Sequence, residues 1–243
     1  MTRHGIPVLL GFFLFWVVLD RSATELGSTM GEGGWIVCAL VIVTAVAIEV
    51  FVFGRTLRGA AIGIGLRPGR RNIVAWAAAG SAAMLLYYPA YALVTGTPIS
   101  LRSDWLALLP GLFLQAGIAE EVVFRGFLFH HLRGAWPFWR AATLSAIPFV
   151  AVHLLLFTTM DFALALASVL LSLALLFPLS WLFEVSRGSI LAPALVHFVV
   201  QGSIKIVAVP EGALPALAIG WMAVAALAPW LYFRLRPRAG QPA

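Results

Sequence analysis

The sequence Glu120-Glu121-Val122-Val123-Phe124-Arg125 places three ionisable side chains within six residues. Its flanks, 106–118 and 126–132, are almost wholly apolar. A charged side chain near the centre of a bilayer costs about 2.5 to 3.5 kcal/mol on insertion scales, so three unpaired charges would cost about 8 to 10 kcal/mol. We therefore expect these charges to be paired, to face a water-filled cavity, or both, and we interpret the stretch as a functional site.

The rest of the chain has the composition of a membrane protein. Of its 243 residues, 62% are hydrophobic and 11% are charged, and the mean hydropathy is +0.98. Long apolar runs follow one another with short loops between them, which leaves no room for a separate soluble catalytic domain. The sequence predicts one integral membrane domain, 1–243, of the all-α class, built as a polytopic transmembrane helix bundle.

Glycine, proline and arginine clusters divide the apolar sequence into about eight spans. They are 5–19, 35–53, 73–94, 106–132, 141–157, 162–183, 190–207 and 214–233. Within the domain, 1–105 would hold the N-terminal spans, 106–207 the catalytic core helices, and 208–243 the last span and a basic tail. Span 5–19 would cover only about 22 Å as a helix, so it would have to be extended, interfacial or set in a thinned bilayer. It resembles a signal peptide but no small-x-small cleavage site follows Leu19, so we predict that it is not cleaved.

Basic residues are concentrated in alternate loops. One set of loops carries twelve arginines: Arg3, Arg55, Arg58, Arg67, Arg70, Arg71, Arg133, Arg140, Arg187, Arg234, Arg236 and Arg238. The other set carries only Arg21 and Arg102. By the positive-inside rule, eight spans then place both termini in the cytoplasm.

The net charge of +6 follows from this loop pattern, so we expect the lipid bilayer and no nucleic acid as a partner. Loop 55–71 could also bind anionic lipid, although a topology signal explains it without a ligand. Fifteen of the sixteen basic residues are arginine, a bias that suggests a GC-rich genome. We expect the protein in a bacterial cytoplasmic (inner) membrane.

Helix geometry separates the two glutamates of the central stretch. Glu121 and Arg125 are four residues apart on one face, so they can neutralise each other. Glu120 points about 100° away from that pair. A carboxylate without a fixed cation in a low-dielectric site binds a proton more readily, which suits a general base or acid near neutral pH. The alternative is that all three residues only hold helices together.

Two later spans place polar side chains at a similar depth. His153 lies twelve residues into its span, about 18 Å from the end predicted to be cytoplasmic, and Glu120 lies equally deep in its own. His197 and Gln201 are one turn apart on one face at a depth of about 10 to 17 Å. Either histidine alone could simply bond one helix to another. The shared depth predicts that a glutamate, two histidines and an amide meet.

Other hydrolase designs are excluded by inspection. The sequence contains no His-Glu-x-x-His and no Gly-x-Ser-x-Gly, and its three aspartates, Asp20, Asp104 and Asp161, stand at segment ends. The single Cys38 can form no internal disulfide and no cysteine-rich metal site, and we expect it to pack in the core. A water molecule activated by glutamate and histidine remains.

Three ordered motifs carry a family resemblance. They are Glu120-Glu121-x-x-x-Arg125, Phe149-x-x-x-His153 and His197-x-x-x-Gln201, with the flanks Arg125-Gly126-Phe127-Leu128 and 188–197. Together they resemble the motifs of the CAAX protease and bacteriocin-processing (CPBP, or ABI) intramembrane endopeptidases. The resemblance covers roughly 106–201.

The resemblance implies an endopeptidase that hydrolyses a peptide bond of a membrane-associated protein or peptide. It implies that Glu120 activates water, that His153 and His197 position the water or stabilise the oxyanion, and that the last motif position, here Gln201, completes the polar site. Glu121, Arg125 and Phe149 would support them. The family is described both as metal-dependent and as glutamate-type; we favour no metal and no cofactor, with zinc on Glu120, His153 and His197 as the alternative.

Gln201 departs from the family, which has Asn or Asp in that motif position. An error of about 1 Å in a catalytic group can cost on the order of a hundredfold in rate. A second hypothesis is therefore a catalytically weak immunity or scaffold protein that binds a membrane peptide. A third, a small proton-coupled transporter using Glu120 as its proton site, predicts inverted repeats, and the sequence contains none that we can identify.

Overall fold

The computed structural model describes residues 5–26 and 31–234. His4 and three arginines of the predicted charge pattern, Arg3, Arg236 and Arg238, lie outside the described residues. Within the described ranges the chain is an all-α helix bundle, as predicted. Its apolar segments become helices because a chain without access to water must satisfy every backbone N–H and C=O internally.

The helices follow one another with short connections. Their bounds are α1 Gly5–Glu25, α2 Gly34–Phe51, α3 Leu57–Gly63, α4 Arg71–Met84, α5 Tyr87–Thr95, α6 Trp105–Leu112, α7 His130–Ala135, α8 Phe138–Leu154, α9 Phe162–Val185, α10 Leu191–Ile206 and α11 Leu214–Arg234. Two π-helical segments, Phe113–Ala119 and Val122–Phe129, join α6 to α7, and 3₁₀ turns occupy Leu155–Thr158 and Glu211–Ala213. Two short antiparallel strands, β1 Ser100–Leu101 and β2 Val207–Ala208, pair with each other.

Among the residues that the structure describes, seven helices are long and apolar enough to cross a membrane. They are Gly5–Glu25, Gly34–Phe51, Arg71–Thr95, Trp105–Ala135, Phe138–Thr158, Phe162–Val185 and Glu211–Leu231. The remaining predicted span, 190–207, corresponds to the shorter apolar helix α10. The first span extends past Leu19 to Glu25, so its 21 residues reach a length suited to a bilayer. The cytoplasmic location of both termini stays a prediction.

The helix Trp105–Ala135 lies at the centre of the bundle. Its π-helical part has hydrogen bonds that span five residues: the N–H of Glu120 donates to the carbonyl of Gln115, and the N–H of His130 to that of Arg125. All eight residues from Val122 to Phe129 are buried. Helices α1, α2, α8 and α10 pack around this helix. Such π-helical turns are rare and occur often at functional sites.

Small residues let the N-terminal helices approach this central helix closely. A Cβ added to Gly34 would collide with the carbonyl oxygen of Gly111, and one added to Gly126 with that of Ile64. Small residues at helix crossings are the usual means of close packing in membranes. Cys38 is buried in the same core, as predicted.

Helix α10 is held from its outer side and at its end. The indole N–H of Trp221, on α11, donates to the carbonyl of Val200 at 2.8 Å, and Tyr88 bonds to Ser203 at 2.8 Å. The N–H of Arg102 donates to the carbonyl of Ile206, next to the pairing of β1 with β2. These contacts fix the rotation of α10 and therefore the direction in which its polar side chains point.

A second buried polar cluster was not predicted. Glu49, which is fully buried in α2, accepts a hydrogen bond from Nε2 of His131 at 2.7 Å and forms an ion pair with Arg55, whose Nε lies 3.1 Å from the other carboxylate oxygen. The ring of His131 lies 4.3 Å from that of Phe53, centroid to centroid. His131 stands next to the end of the predicted span 106–132, where an interface location would have been enough to explain it. The structure instead makes it the partner of a buried carboxylate.

Candidate active site

Glu121 joins two helices through one carboxylate oxygen. Its Oε1 accepts a hydrogen bond from Nη1 of Arg125 at 2.9 Å and another from Nδ1 of His197 at 2.7 Å. All three residues are buried. The guanidinium of Arg125 also lies 5.1 Å from the centre of the Phe149 ring, a cation–π distance. The predicted Glu121–Arg125 pair is therefore formed, with Phe149 beside it.

The contacts of His197 define where its proton lies. Because the Glu121 carboxylate can only accept from it, Nδ1 of His197 carries the hydrogen. The other nitrogen, Nε2, lies 2.9 Å from the amide nitrogen of Gln201, which can only donate. Both nitrogens of His197 are therefore occupied, Nδ1 by Glu121 and Nε2 by Gln201.

Glu120 is separated from the ion pair, as helix geometry predicted. Its side chain is 17% exposed, whereas that of Glu121 is fully buried. One oxygen, Oε2, lies 3.3 Å from the amide nitrogen of Gln201 and 3.5 Å from Nε2 of His197. The amide of Gln201 therefore bridges the carboxylate and the imidazole.

His153 approaches from α8. Its Nδ1 lies 2.8 Å from the carbonyl oxygen of Phe149, one turn earlier, so this nitrogen donates and Nε2 keeps its lone pair. Pro148 removes a backbone donor from this part of the helix. In the part of the chain that the structure describes, His153 makes no hydrogen bond to Glu120, His197 or Gln201, and it meets them only across a cavity.

That cavity has a volume of about 520 Å³ and is lined by Glu120, His153, His197 and Gln201. Most of its remaining wall is apolar. The four side chains predicted to meet therefore do lie around one space, although their catalytic roles stay a prediction. A cavity with apolar walls and a few convergent polar groups is a typical binding site.

Several contributions to the cavity were not predicted, among them those of α1 and Gln115. Helix α1 provides the residues Trp16, Leu19, Asp20, Ala23 and Thr24. Gln115 also lines it, and its buried Oε1 has no hydrogen-bond partner among the described residues. An amide alone in the apolar run 106–118 was the signal that could have identified Gln115. The sequence of α1 contains no comparable signal to indicate that this helix lines the cavity.

The arrangement of these side chains also bears on whether they could coordinate a metal ion. No three His, Cys, Asp or Glu side chains in 5–26 and 31–234 are grouped in a way that could hold a metal ion. Zinc on Glu120, His153 and His197 would require the lone pair of His197 Nε2, to which Gln201 donates. As arranged, these residues do not form a ready zinc site.

Comparison with known families adds independent support for the motifs. Residues 102–203 match the family model described as Rce1-like, the type II CAAX prenyl endopeptidase Rce1-like family. The matched range contains every residue from Glu120 to Gln201 considered above. No curated protein matches the sequence. The chain, an integral membrane protein with the three motifs in order, is therefore similar over residues 102–203 to the Rce1-like type II CAAX prenyl endopeptidases, and this match supports the resemblance to the CAAX protease and bacteriocin-processing (CPBP) family.

Proposed function

We propose that the protein hydrolyses a peptide bond of a membrane-associated protein or peptide with a water molecule activated by Glu120, without a metal ion. The observation that carries this proposal is the division of work between the two neighbouring glutamates. Glu121 is neutralised by Arg125 and bonded to His197, whereas Glu120 is partly exposed to the cavity. A general base has to reach water, and Glu120 meets that condition.

The hydrogen positions suggest how water would be held. Nε2 of His153 has a lone pair, so it can accept one hydrogen of a water molecule while Glu120 accepts the other. The water oxygen then bonds to the carbonyl carbon, and its proton passes to Glu120. Collapse of the tetrahedral intermediate breaks the C–N bond, and Glu120 returns the proton to the leaving amine.

The oxyanion that forms on the carbonyl needs a donor. One candidate is the amide N–H₂ of Gln201, which donates to Glu120 and His197 in the structure. Donors aimed at a developing oxyanion typically contribute a factor of about 10² to 10³ in rate. We propose that substrate binding turns this amide away from His197 and toward the carbonyl.

The walls of the cavity suggest how substrate arrives. Side chains of α1, α9 and α11, among them Trp16, Leu171 and Met222, form a largely apolar surface around the polar groups. Such a surface suits a segment that enters from the bilayer, because it does not require the segment to be transferred into water first. We therefore propose a membrane-held substrate, in agreement with the family.

The test is cleavage of membrane-anchored reporter peptides, including one with a prenylated C-terminus, by purified protein in detergent. We expect Glu120→Gln, which keeps the shape of the side chain, to lower cleavage at least a hundredfold. Asp20→Asn is the matched control, because Asp20 is a second carboxylate on the same cavity, and it should stay within a few-fold of wild type. A zinc chelator should have no effect.

Two outcomes would contradict this proposal. Wild-type rates from Glu120→Gln would remove its role as base. Loss of activity on chelation, restored by added zinc, would instead assign His153 and His197 to a metal.

The bridging amide of Gln201 also favours a second candidate function, a peptide-binding protein of weak activity. In that case Glu120→Gln should leave the binding affinity for the reporter peptides unchanged.

A further inference from the structure

A second cavity, of about 360 Å³, lies apart from the one that holds Glu120 and shares no lining residue with it. Four arginines line this basic cavity: Arg55, Arg67, Arg133 and Arg187. They come from the connection between α2 and α4, from α7 and from the residue pair that follows α9. These segments are far apart in sequence, so only the fold brings the four guanidinium groups together.

Two of the four arginines have a carboxylate partner. Arg55 forms an ion pair with the buried Glu49 at 3.1 Å, and Arg133 forms one with Glu184 at 2.8 Å. Arg67 and Arg187 form no ion pair with any residue in 5–26 or 31–234. Positive charge therefore exceeds negative charge at this cavity, and the excess favours an anionic ligand.

The backbone at Arg187 is a further indication. Its φ is 62°, and it is the one described residue other than glycine with a positive φ. It occupies the left-handed position of the C-terminal cap of α9: its N–H donates to the carbonyl of Glu184, and that of Gly188 to the carbonyl of Phe183. Glycine takes this conformation without strain, yet an arginine stands here and lines the cavity. Strain that is retained at a specific side chain is a common mark of a functional site.

We propose that the basic cavity binds a phosphate group, presented by the headgroup of an anionic phospholipid. Guanidinium groups bind phosphate oxygens through paired hydrogen bonds, which explains why several arginines converge here. Arginine-rich pockets at the ends of membrane helices are suited to acidic headgroups. The same chemistry would also accept free phosphate, so the experiment has to separate the two sources.

The surroundings of the cavity favour the lipid. Ile62, which is 39% exposed, lines the cavity, and Leu57 at the start of the same short helix α3 is 71% exposed. These side chains offer an apolar surface beside the arginines, where acyl chains could lie. All four arginines also belong to the loops predicted to face the cytoplasm, where anionic lipids are enriched.

The test uses purified full-length protein in a non-ionic detergent. Dioctanoyl phosphatidylglycerol, dioctanoyl phosphatidylcholine and inorganic phosphate are titrated separately, and binding is measured by native mass spectrometry and by the rise in Tm. We expect saturable binding of phosphatidylglycerol and at least tenfold weaker binding in Arg67→Gln and in Arg187→Gly. If inorganic phosphate binds equally well and displaces the lipid, the ligand of the cavity is free phosphate and not a lipid headgroup.

Two controls separate binding from folding and from general charge. Arg187→Gly should fold with an unchanged or higher Tm without ligand, because glycine relieves the strained backbone. Arg58→Gln removes one positive charge from the exposed surface of α3 outside the cavity, and its affinity should stay within twofold of wild type. The proposal is overturned if neither phosphatidylglycerol nor phosphate binds saturably, or if Arg58→Gln weakens binding as much as Arg67→Gln.

Discussion

Nδ1 of His197 lies 2.7 Å from Oε1 of Glu121, the same oxygen that accepts from Arg125. One buried carboxylate thus fixes the imidazole of α10 and neutralises the guanidinium of its own helix. The adjacent Glu120 takes no part in the ion pair and faces the cavity. Two glutamates that are neighbours in sequence therefore have separate roles, one in holding the site and one in the chemistry that we propose.

Glu121→Gln tests the holding role. An amide would leave the buried Arg125 without a counter-charge, which typically costs about 3 to 5 kcal/mol, so we expect a clear fall in Tm together with a loss of cleavage. Glu120→Gln should lose cleavage with a nearly unchanged Tm, since its carboxylate is partly exposed and its described ion-pair contact is His197 at 3.5 Å, not a buried guanidinium. Thermal unfolding of both variants in the same detergent measures the difference. Equal Tm values for the two variants would show that Glu121 does not stabilise the fold more than Glu120 does.

Gln201→Asn tests the bridge between Glu120 and His197. The shorter side chain cannot reach both groups, and the methylene it loses leaves space close to that of one water molecule beside Glu120. We expect a higher kcat on the reporter peptides, by several-fold or more, with little change in KM. Gln201→Leu, which keeps the bulk but removes the amide, is the matched control and should be inactive. A lower kcat in Gln201→Asn would mean that the glutamine is the adapted residue in this protein.

Gly126→Ala tests the close contact between the central helix and the segment after α3. Its Cβ would meet the carbonyl oxygen of Ile64, which belongs to the backbone and cannot rotate away. Overpacking of this kind costs about 1 to 3 kcal/mol, so Tm should fall by several degrees. Gly134→Ala in α7 is the control, because an added Cβ there has no heavy atom within 4 Å. Similar Tm values for the two variants would contradict the tight crossing.

Glu49→Gln tests the second buried cluster. The change removes the charge that accepts a hydrogen bond from His131 and pairs with Arg55, and a hydrogen bond to a charged group contributes about 1.5 to 3 kcal/mol. We expect a lower Tm and, because this cluster lies outside the active-site cavity, cleavage rates within a few-fold of wild type at 20 °C. Glu25→Gln, at the exposed end of α1, should leave Tm unchanged. A full loss of cleavage with normal Tm would show that the cluster takes part in the reaction.

The sequence was sufficient to predict the helical bundle, its spans and the Glu121–Arg125 pair. All of these follow from large free-energy costs that act locally in the sequence: long apolar runs are unfavourable in water, and unpaired charges within them are unfavourable in a membrane. The convergence of Glu120, His153, His197 and Gln201 followed from depth along the helices, a quantity that can be counted in residues. The subdivision into 1–105, 106–207 and 208–243 stays a prediction.

What could not be predicted depends on which helices are neighbours. Neither the contribution of α1 to the cavity nor the meeting of Glu49 with His131 follows from any local pattern, because both require contacts between distant segments. The four arginines around the basic cavity illustrate the same limit: in sequence they are ordinary loop charges, and only the assembled bundle gives them a common cavity. The positions of Gln201 and His197, by contrast, followed from one helix alone.

The π-helical turns between Phe113 and Phe129 make the direction of the active-site side chains depend on the width of the helix as well as on the sequence. A π turn holds one residue more than an α turn, so the wide turn at 113–119 accommodates an extra residue without rotating the helix that follows. If the same residues closed as an ordinary α-helix, Glu120 and everything after it would turn by about 100° relative to α6. All site residues would still be present, but Glu120 could no longer face both the cavity and the amide of Gln201. The wide turn in this segment is thus as much a requirement of the site as the glutamate itself.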